Sequence, residues 1–312
     1  MTKLTPQEIK RVKAMGYLYN RDSEDEFNCR VITGNGELTS EQLINIAECA
    51  KRYGCGSVAL TSRMTVEMQG VKHEHIDAIH QHLAQAGLYT GGTGDKIRPV
   101  VACKGATCVF GQVNSAEIAQ QIHDRFFLGY QTVSLPHKFK IAVGGCPNNC
   151  VKPDLNDIGL VGQSMPLLQE ELCRDCKKCI VVDGCKIHAP HKEQGKVVFD
   201  RDVCDNCGKC IRTCYFHAVV PQKTGVKLLL GGKWGRVGKP GIPVPGIYSI
   251  PQAMDLIEKA ILLYREHGYK KERFGDMMTR IGDDQVIDWV LHDDPIQRKE
   301  KILAREIEAK VS

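Results

Sequence analysis

The sequence predicts an α+β protein with a small cysteine-rich module set into its second half. Three observations predict it. Segments of strand period and of helix period follow one another through the first 168 residues and return after residue 222. Of the 15 cysteines, all but Cys29, Cys49 and Cys55 fall into three groups of four. Between Cys173 and Cys214 the text is dense in cysteine and poor in apolar periodicity. These shifts place expected boundaries at 1–92, 93–168, 169–222 and 223–312, the last stretch returning to the second unit.

The elements follow in order. Thr5, Pro6 and Glu8 form a capping box and first turn, and Gly16 is the expected stop of that helix. EFNCRVIT (26–33) alternates and ends at Gly34, as a strand does. Thr39 caps a helical pattern through Tyr53, closed by Gly54. The stretch from Gly56 to Gly70 reads as one long strand or a hairpin. Residues 73–87 are an amphipathic helix, with His73, His75, His80 and His82 expected at its surface. A glycine-rich linker, GGTGDK, leads to a strand RPVVAC, a helix near 115–128 and a strand FKIAV. DIGLVG and VKLLLGG read as further strands, 250–267 as a strongly periodic helix and 295–310 as a charged terminal helix.

Composition narrows the class. A chain of 312 residues with 42% hydrophobic and 25% charged residues can bury real cores. A net charge of +5 is too mild and too scattered to indicate nucleic acid, but it suits an anionic ligand. No apolar run reaches the length of a membrane span. The start has no apolar h-region, so the expected location is the cytoplasm, where thiols serve as metal ligands more often than as disulfides.

The cysteines carry the strongest signal. CDNCGKCIRTC holds Cys204, Cys207, Cys210 and Cys214 at the spacing that wraps a cubane [4Fe–4S] cluster. CRDCKKCIVVDGC holds Cys173, Cys176, Cys179 and Cys185 with a longer last gap. In two-cluster ferredoxins the fourth cysteine of each run serves the other cluster. The expected sets are therefore Cys173, Cys176, Cys179 with Cys214, and Cys204, Cys207, Cys210 with Cys185. A pair of zinc sites is the alternative, since paired Cys-x-x-Cys segments build those too. The third group is Cys103 and Cys108 in CKGATC with Cys146 and Cys150 in GGCPNNC. Just before it, Lys138 and Lys140 stand two apart in LPHKFK, so on one face of an extended chain.

That third spacing, with these lysines, resembles the siroheme sulfite and nitrite reductases, and most of all the catalytic subunit of anaerobic sulfite reductase, which carries a ferredoxin module inserted after its siroheme domain. The resemblance runs from about residue 20 to 280. It implies a siroheme sulfite/nitrite reductase-like repeat: a ferredoxin-like half-domain, a siroheme and cluster domain, and an inserted two-cluster ferredoxin module. It implies siroheme and three [4Fe–4S] clusters as cofactors, and six-electron reduction of sulfite to sulfide. Four basic residues around the anion are implied at Arg63 in Thr61-Ser62-Arg63, Arg98 before the first cluster cysteine, Lys138 and Lys140. Cys150 is implied to bridge cluster and siroheme iron. Arg30, on the first strand, is a candidate for a siroheme carboxylate, and Asn148, Asn149 and Lys152 are candidates for hydrogen bonds to cluster sulfurs or tetrapyrrole carboxylates, or else shape the turn. The first cysteine gap, four residues, departs from the usual five, and a single repeat stands where the two-repeat enzymes have two.

Two other readings stay open: nitrite reduction on the same apparatus, and an iron–sulfur electron-transfer protein without siroheme. The sequence has no glycine-rich dinucleotide fingerprint between a strand and a helix, so electrons are expected from a ferredoxin or partner reductase subunits. The single repeat suggests a symmetric homodimer, the commonest closed assembly.

Overall fold

The computed structural model describes residues 4–21, 23 and 25–310. Helix α1 (Pro6–Ala14) starts at the expected capping box, with Thr5 and Glu8 bonded to each other's backbone. Strands β1 (Tyr17–Tyr19) and β2 (Glu26–Val31) follow, then α2 (Ser40–Tyr53), capped by Thr39 and Gln42. Residues 56–70 form a hairpin, not one strand: β3 (Val58–Leu60) and β4 (Val66–Lys72) pair antiparallel. After one 3-10 turn comes α3 (Ile76–Ala84). The four strands make an antiparallel sheet in the order β1-β2-β4-β3 over a core of Phe27, Val31, Ile46, Met68, Ile79 and Leu83. Alternation in β2 buries Phe27, Cys29 and Val31 and turns Arg30 the other way.

The second sheet has the order β11-β10-β7-β6-β5. Strand β5 is only Val101–Ala102; α4 (Ser115–Ile122) continues through Leu128 as a π-helical stretch; β6 is Ile141–Gly144 and β7 Ile158–Leu168. Strands β5, β6 and β7 are parallel, and β6 is buried throughout, as central parallel strands are. At Leu168 the chain leaves this sheet. It makes a small unit of α5 (Ile180–Asp183), the hairpin β8 (Pro190–Glu193) with β9 (Lys196–Phe199), and α6 (Lys209–Thr213), around Val181, Val197, Phe199 and Val219. It returns as β10 (Val219–Leu230), antiparallel to β7 along nearly the full length of both. Both strands are much longer than DIGLVG and VKLLLGG suggest. Strand β11 (Ile242–Pro243) closes the edge.

Helices α7 (Ile250–His267), α8 (Phe274–Ile281), α9 (Asp283–His292) and α10 (Lys299–Ala304) finish the chain. Helix α7 is buried on most of its faces and packs on β10. The terminal helix is shorter than expected. Arg305 turns extended, and its carbonyl, with that of Leu303, accepts from Arg265. The four histidines of 73–82 are half-buried, not a free surface: His80 bonds Thr90, His82 meets the Asn45 carbonyl, and Tyr53 packs on His75 and His82. Cys29 and Cys49 are buried, whereas Cys55 is exposed in the loop after α2. Among the described residues no helix is long and apolar enough to cross a membrane.

Candidate functional site

The β3–β4 turn presents Arg63. Thr61 holds the turn: its hydroxyl meets that of Thr65 at 2.7 Å and accepts from the Arg63 amide at 3.2 Å. The Arg63 guanidinium then reaches the second sheet, donating to Asn156 Oδ1 at 2.8 Å, to the Ile141 carbonyl at 3.1 Å and to the Pro99 carbonyl. Arg98 donates to the Gly92 carbonyl at 2.9 Å, and Arg30 donates to the same oxygen at 3.2 Å. Gly92 belongs to the glycine-rich linker, which is therefore a fixed strut; its φ of +71° favours glycine. Asp95 does not pair with Arg98 but with His137, at 2.9 Å. Arg30 is also tied to Glu67 at 2.5 Å.

Lys138 and Lys140 lie just outside β6, on either side of Phe139, which makes an isolated bridge to Ile97. Phe139 is fully buried, stacked on Tyr264 and tilted against Phe274. Its burial turns the two flanking lysines to the opposite side together. Neither ammonium has a carboxylate within ion-pair distance among the described residues. The cations feel one another. Burial first, then Arg63, Arg273 and Lys138, push the Lys140 amine down to about 8, against the pull of Asp157. Burial, with Arg273 and Arg98, lowers that of Lys138. Burial also brings Arg63 and Arg98 down to about 10. The structure thus brings Arg63, Arg98, Lys138 and Lys140 together. It adds two residues that sequence reasoning missed, Arg273 and the fully buried Asp157, 2.7 Å apart. The Nε atoms of Arg63, Arg98 and Arg273 are buried without an acceptor in the protein. Three such donors in one cation cluster fit an anionic ligand.

The thiols stand at the other ends of the same strands. Strand β5 leads from Arg98 to Cys103, and β6 from Lys140 to Cys146. Burial raises the Cys146 thiol, and Cys103, Cys108 and Cys150 lie near enough to add to that rise. The Gly145 amide donates to Cys103 Sγ at 3.0 Å. A Cβ on Gly145 would lie 2.9 Å from Gly105 Cα and 3.4 Å from that sulfur, so only glycine lets the two cysteine loops meet. Asn149 (φ +58°) donates to Asp154 at 2.8 Å and leaves its own oxygen unpaired, while Lys152 (φ +49°) rests over Trp234. Both shape the loop that ends the cysteine group.

In the small unit the thiols group across the two runs. One cavity, of about 710 Å³, is lined by Cys185, Cys204, Cys207 and Cys210; Cys146, Pro147 and Asn148 line its other side. A second is lined by Cys173, Cys176, Cys179 and Cys214. Among the described residues no three Cys, His, Asp or Glu side chains close on a single ion.

Residues 93–298 match the family described as the nitrite and sulphite reductase 4Fe-4S domain, and residues 20–86 its ferredoxin-like half domain. The chain belongs to the nitrite and sulfite reductase family. The two sheets described above are the family's α+β fold. The chain is 32% identical over 250 residues to the coenzyme F420-dependent sulfite reductase of Methanocaldococcus jannaschii, covering 79% of this chain and 39% of that one. It is 36% identical over 128 residues to the nitrite reductase [NAD(P)H] large subunit of Klebsiella oxytoca, covering 40% of this chain and 13% of that one. The chain therefore spans well under half the length of either reductase. In fold it resembles dissimilatory sulfite reductase I, with a TM-score of 0.71 at 20% identity over 87% of this chain and 70% of that chain.

Proposed function

We propose that the chain reduces sulfite to sulfide with a siroheme coupled to a [4Fe–4S] cluster on Cys103, Cys108, Cys146 and Cys150, and that the inserted unit is a ferredoxin module with two more clusters. The observation that carries this reading is the cluster of Arg63, Arg98, Lys138 and Lys140, built with unpaired buried guanidinium nitrogens in a chain that also holds Cys103, Cys108 and Cys150 near Cys146. When bound, these groups would hold the anion and pass to it, one at a time, the six electrons that a donor protein supplies. The protein's own part is charge and position. The two arginines donate to the oxyanion from fixed backbone anchors, and the two lysines neutralise it and supply protons as oxygen leaves as water. Cys150, at the exposed end of its loop, is the thiol available to a second metal centre. The thiol grouping supports Cys173, Cys176, Cys179 with Cys214 as one ligand set and Cys204, Cys207, Cys210 with Cys185 as the other. Cys146 lines the same cavity as the second set, which supports a path in which electrons from a ferredoxin or partner subunit enter at the first set and pass through the second.

A symmetric homodimer fits this arrangement. Within one chain the cations sit at the start of β6 and the thiols past its end, and the strand alone spans about 13 Å at roughly 3.3 Å per residue. A partner copy related by a twofold would bring its thiols to these cations.

Nitrite is the second reading, favoured by the likeness to a nitrite reductase. Anaerobically purified protein tests the proposal. An intense Soret band with a separate long-wavelength band, and faster turnover of sulfite than of nitrite, is the expected result. Faster turnover of nitrite would replace the substrate, and a broad cluster shoulder alone would leave an electron-transfer protein.

A further inference from the structure

Asn156 and Asp157 immediately precede β7, and both are buried. Asn156 Oδ1 accepts from Arg63 Nη1 at 2.8 Å, and its Nδ2 donates to the Lys152 carbonyl at 2.9 Å. Asp157 Oδ2 accepts from the Lys140 backbone amide at 2.8 Å. Both Asp157 oxygens accept from Arg273 Nη2, at 2.9 and 2.7 Å. Arg273 is the residue before α8, 8% exposed. Two adjacent side chains therefore grip one guanidinium, the backbone of the lysine segment and a second guanidinium.

We propose that Asn156 and Asp157, with Arg273, are the positioning residues of the anion site: they fix where Arg63 and Lys140 stand, and Arg273 adds a further positive charge beside them. This rests on the anion-reducing function proposed above. The physical need is plain. Arg63, Lys138, Lys140 and Arg273 repel one another in a partly buried place, and Asp157 is the carboxylate that opposes this repulsion at Lys140. A buried carboxylate in turn persists only when it is paired and hydrogen-bonded. One residue thus lets the cations gather and ties them to the C-terminal helices, and its neighbour aims Arg63.

The test is the pH dependence of Lys140 acetylation, followed by competitive labelling and mass spectrometry on the purified holoprotein, with kcat and KM for sulfite measured alongside. The charged groups facing the Lys140 amine are Arg63, Arg273, Lys138 and Asp157. Asp157→Asn removes the opposing charge, so the Lys140 midpoint should fall below its wild-type value. Arg273→Met removes a repulsion on Lys140 larger than the pull of Asp157, so the midpoint should rise even as the unpaired carboxyl takes up a proton. Opposite shifts distinguish placement of charge from loose folding, which would move both midpoints up toward that of an ordinary exposed lysine. Asn156→Ala keeps the ion pair and the labelling profile close to wild type. It should raise KM for sulfite about tenfold, the scale of one charge-assisted hydrogen bond. Shifts of the same sign, or an unmoved midpoint in both charge variants, would overturn the proposal, as would an unchanged KM in Asn156→Ala should the charge variants fail to fold. Labelling needs no turnover, so an error in the assigned substrate would leave that readout intact.

Discussion

Lys140 holds its proton against burial and three neighbouring cations, which bring its amine to about 8. It is charged below that pH and neutral above it. Anion affinity should therefore fall as pH rises through about 8. Above that pH, binding an anion should draw a proton onto the amine. Calorimetry in two buffers of different ionisation heat would read that uptake as a buffer-dependent binding enthalpy. The sign for folding is the reverse of a stabilising lysine. The folded value lies below the 10.5 of a free lysine, so the charged form opposes folding at neutral pH, and that opposition lifts as pH rises from about 8 toward 10.5. Lys140→Ala and Lys138→Ala should each leave the absorption spectrum intact and lower turnover by roughly 10²–10³-fold, the scale of losing one electrostatic contact to developing charge. Normal activity in both would remove these lysines from the site. Their pairing is legible in the sequence because KFK alternates around a buried aromatic. The contributions of Asp157 and Arg273 are not. They lie 116 residues apart and neither belongs to a spacing pattern, so only the folded chain brings them together.

At the scale of the element, the segment through Phe139 makes the cations depend on the core. Phe139 stacks on Tyr264 of α7 and meets Phe274 at the start of α8. Phe139→Ala should cost about 3–5 kcal/mol of stability in denaturant unfolding. It should also weaken sulfite binding more than a cavity of equal size remote from the lysines does. The two thiol sets of the inserted unit give a second test. If the ligands cross between runs, Cys185→Ser should perturb the cluster of the 204–210 run and Cys214→Ser that of the 173–179 run. Electron paramagnetic resonance of the reduced variants would show which signal changes, and the uncrossed assignment would be correct if each variant affected its own run. Capping residues mark α1 and α2 in the sequence, and helical period marks α7. The lengths of β7 and β10 were hidden, because Pro166, Gln163 and Lys223 break the apolar pattern and tertiary pairing supplies the register. The terminal helix ends sooner than its run of charged helix formers predicts, because the Arg265 contacts that hold the chain extended after Ala304 leave no mark in that run.

For the whole molecule, three clusters and one siroheme predict about twelve cluster irons plus one per chain. Iron near eight with no tetrapyrrole would remove the catalytic reading. If the site is shared across a twofold, mixing inactive Lys140→Ala protein with inactive Cys150→Ser protein should restore activity as subunits exchange, since a mixed pair holds one intact set of cations facing one intact cluster. Exchange without recovered activity would return the site to a single chain.

The ladder between β7 and β10 has one more consequence. Leu168 and Val219 are register partners, so the chain departs for the inserted unit and comes back at neighbouring positions about 5 Å apart. The residues between them form a side unit that leaves and rejoins the sheet at one place and touches it again where the Ser164 amide donates to the Asn206 carbonyl at 2.8 Å and Arg201 to the Pro166 carbonyl at 2.8 Å. Replacing residues 169–218 with a two-residue Asn-Gly turn should close the β7–β10 hairpin without moving the sheet. The trimmed protein should keep its tetrapyrrole band and the cluster of Cys103, Cys108, Cys146 and Cys150, and lose about eight irons. It should still turn over with a small chemical reductant but accept electrons poorly from a protein donor. The electron supply of this fold would then be an exchangeable fitting, free to vary between relatives while the chemistry beneath it stays in place.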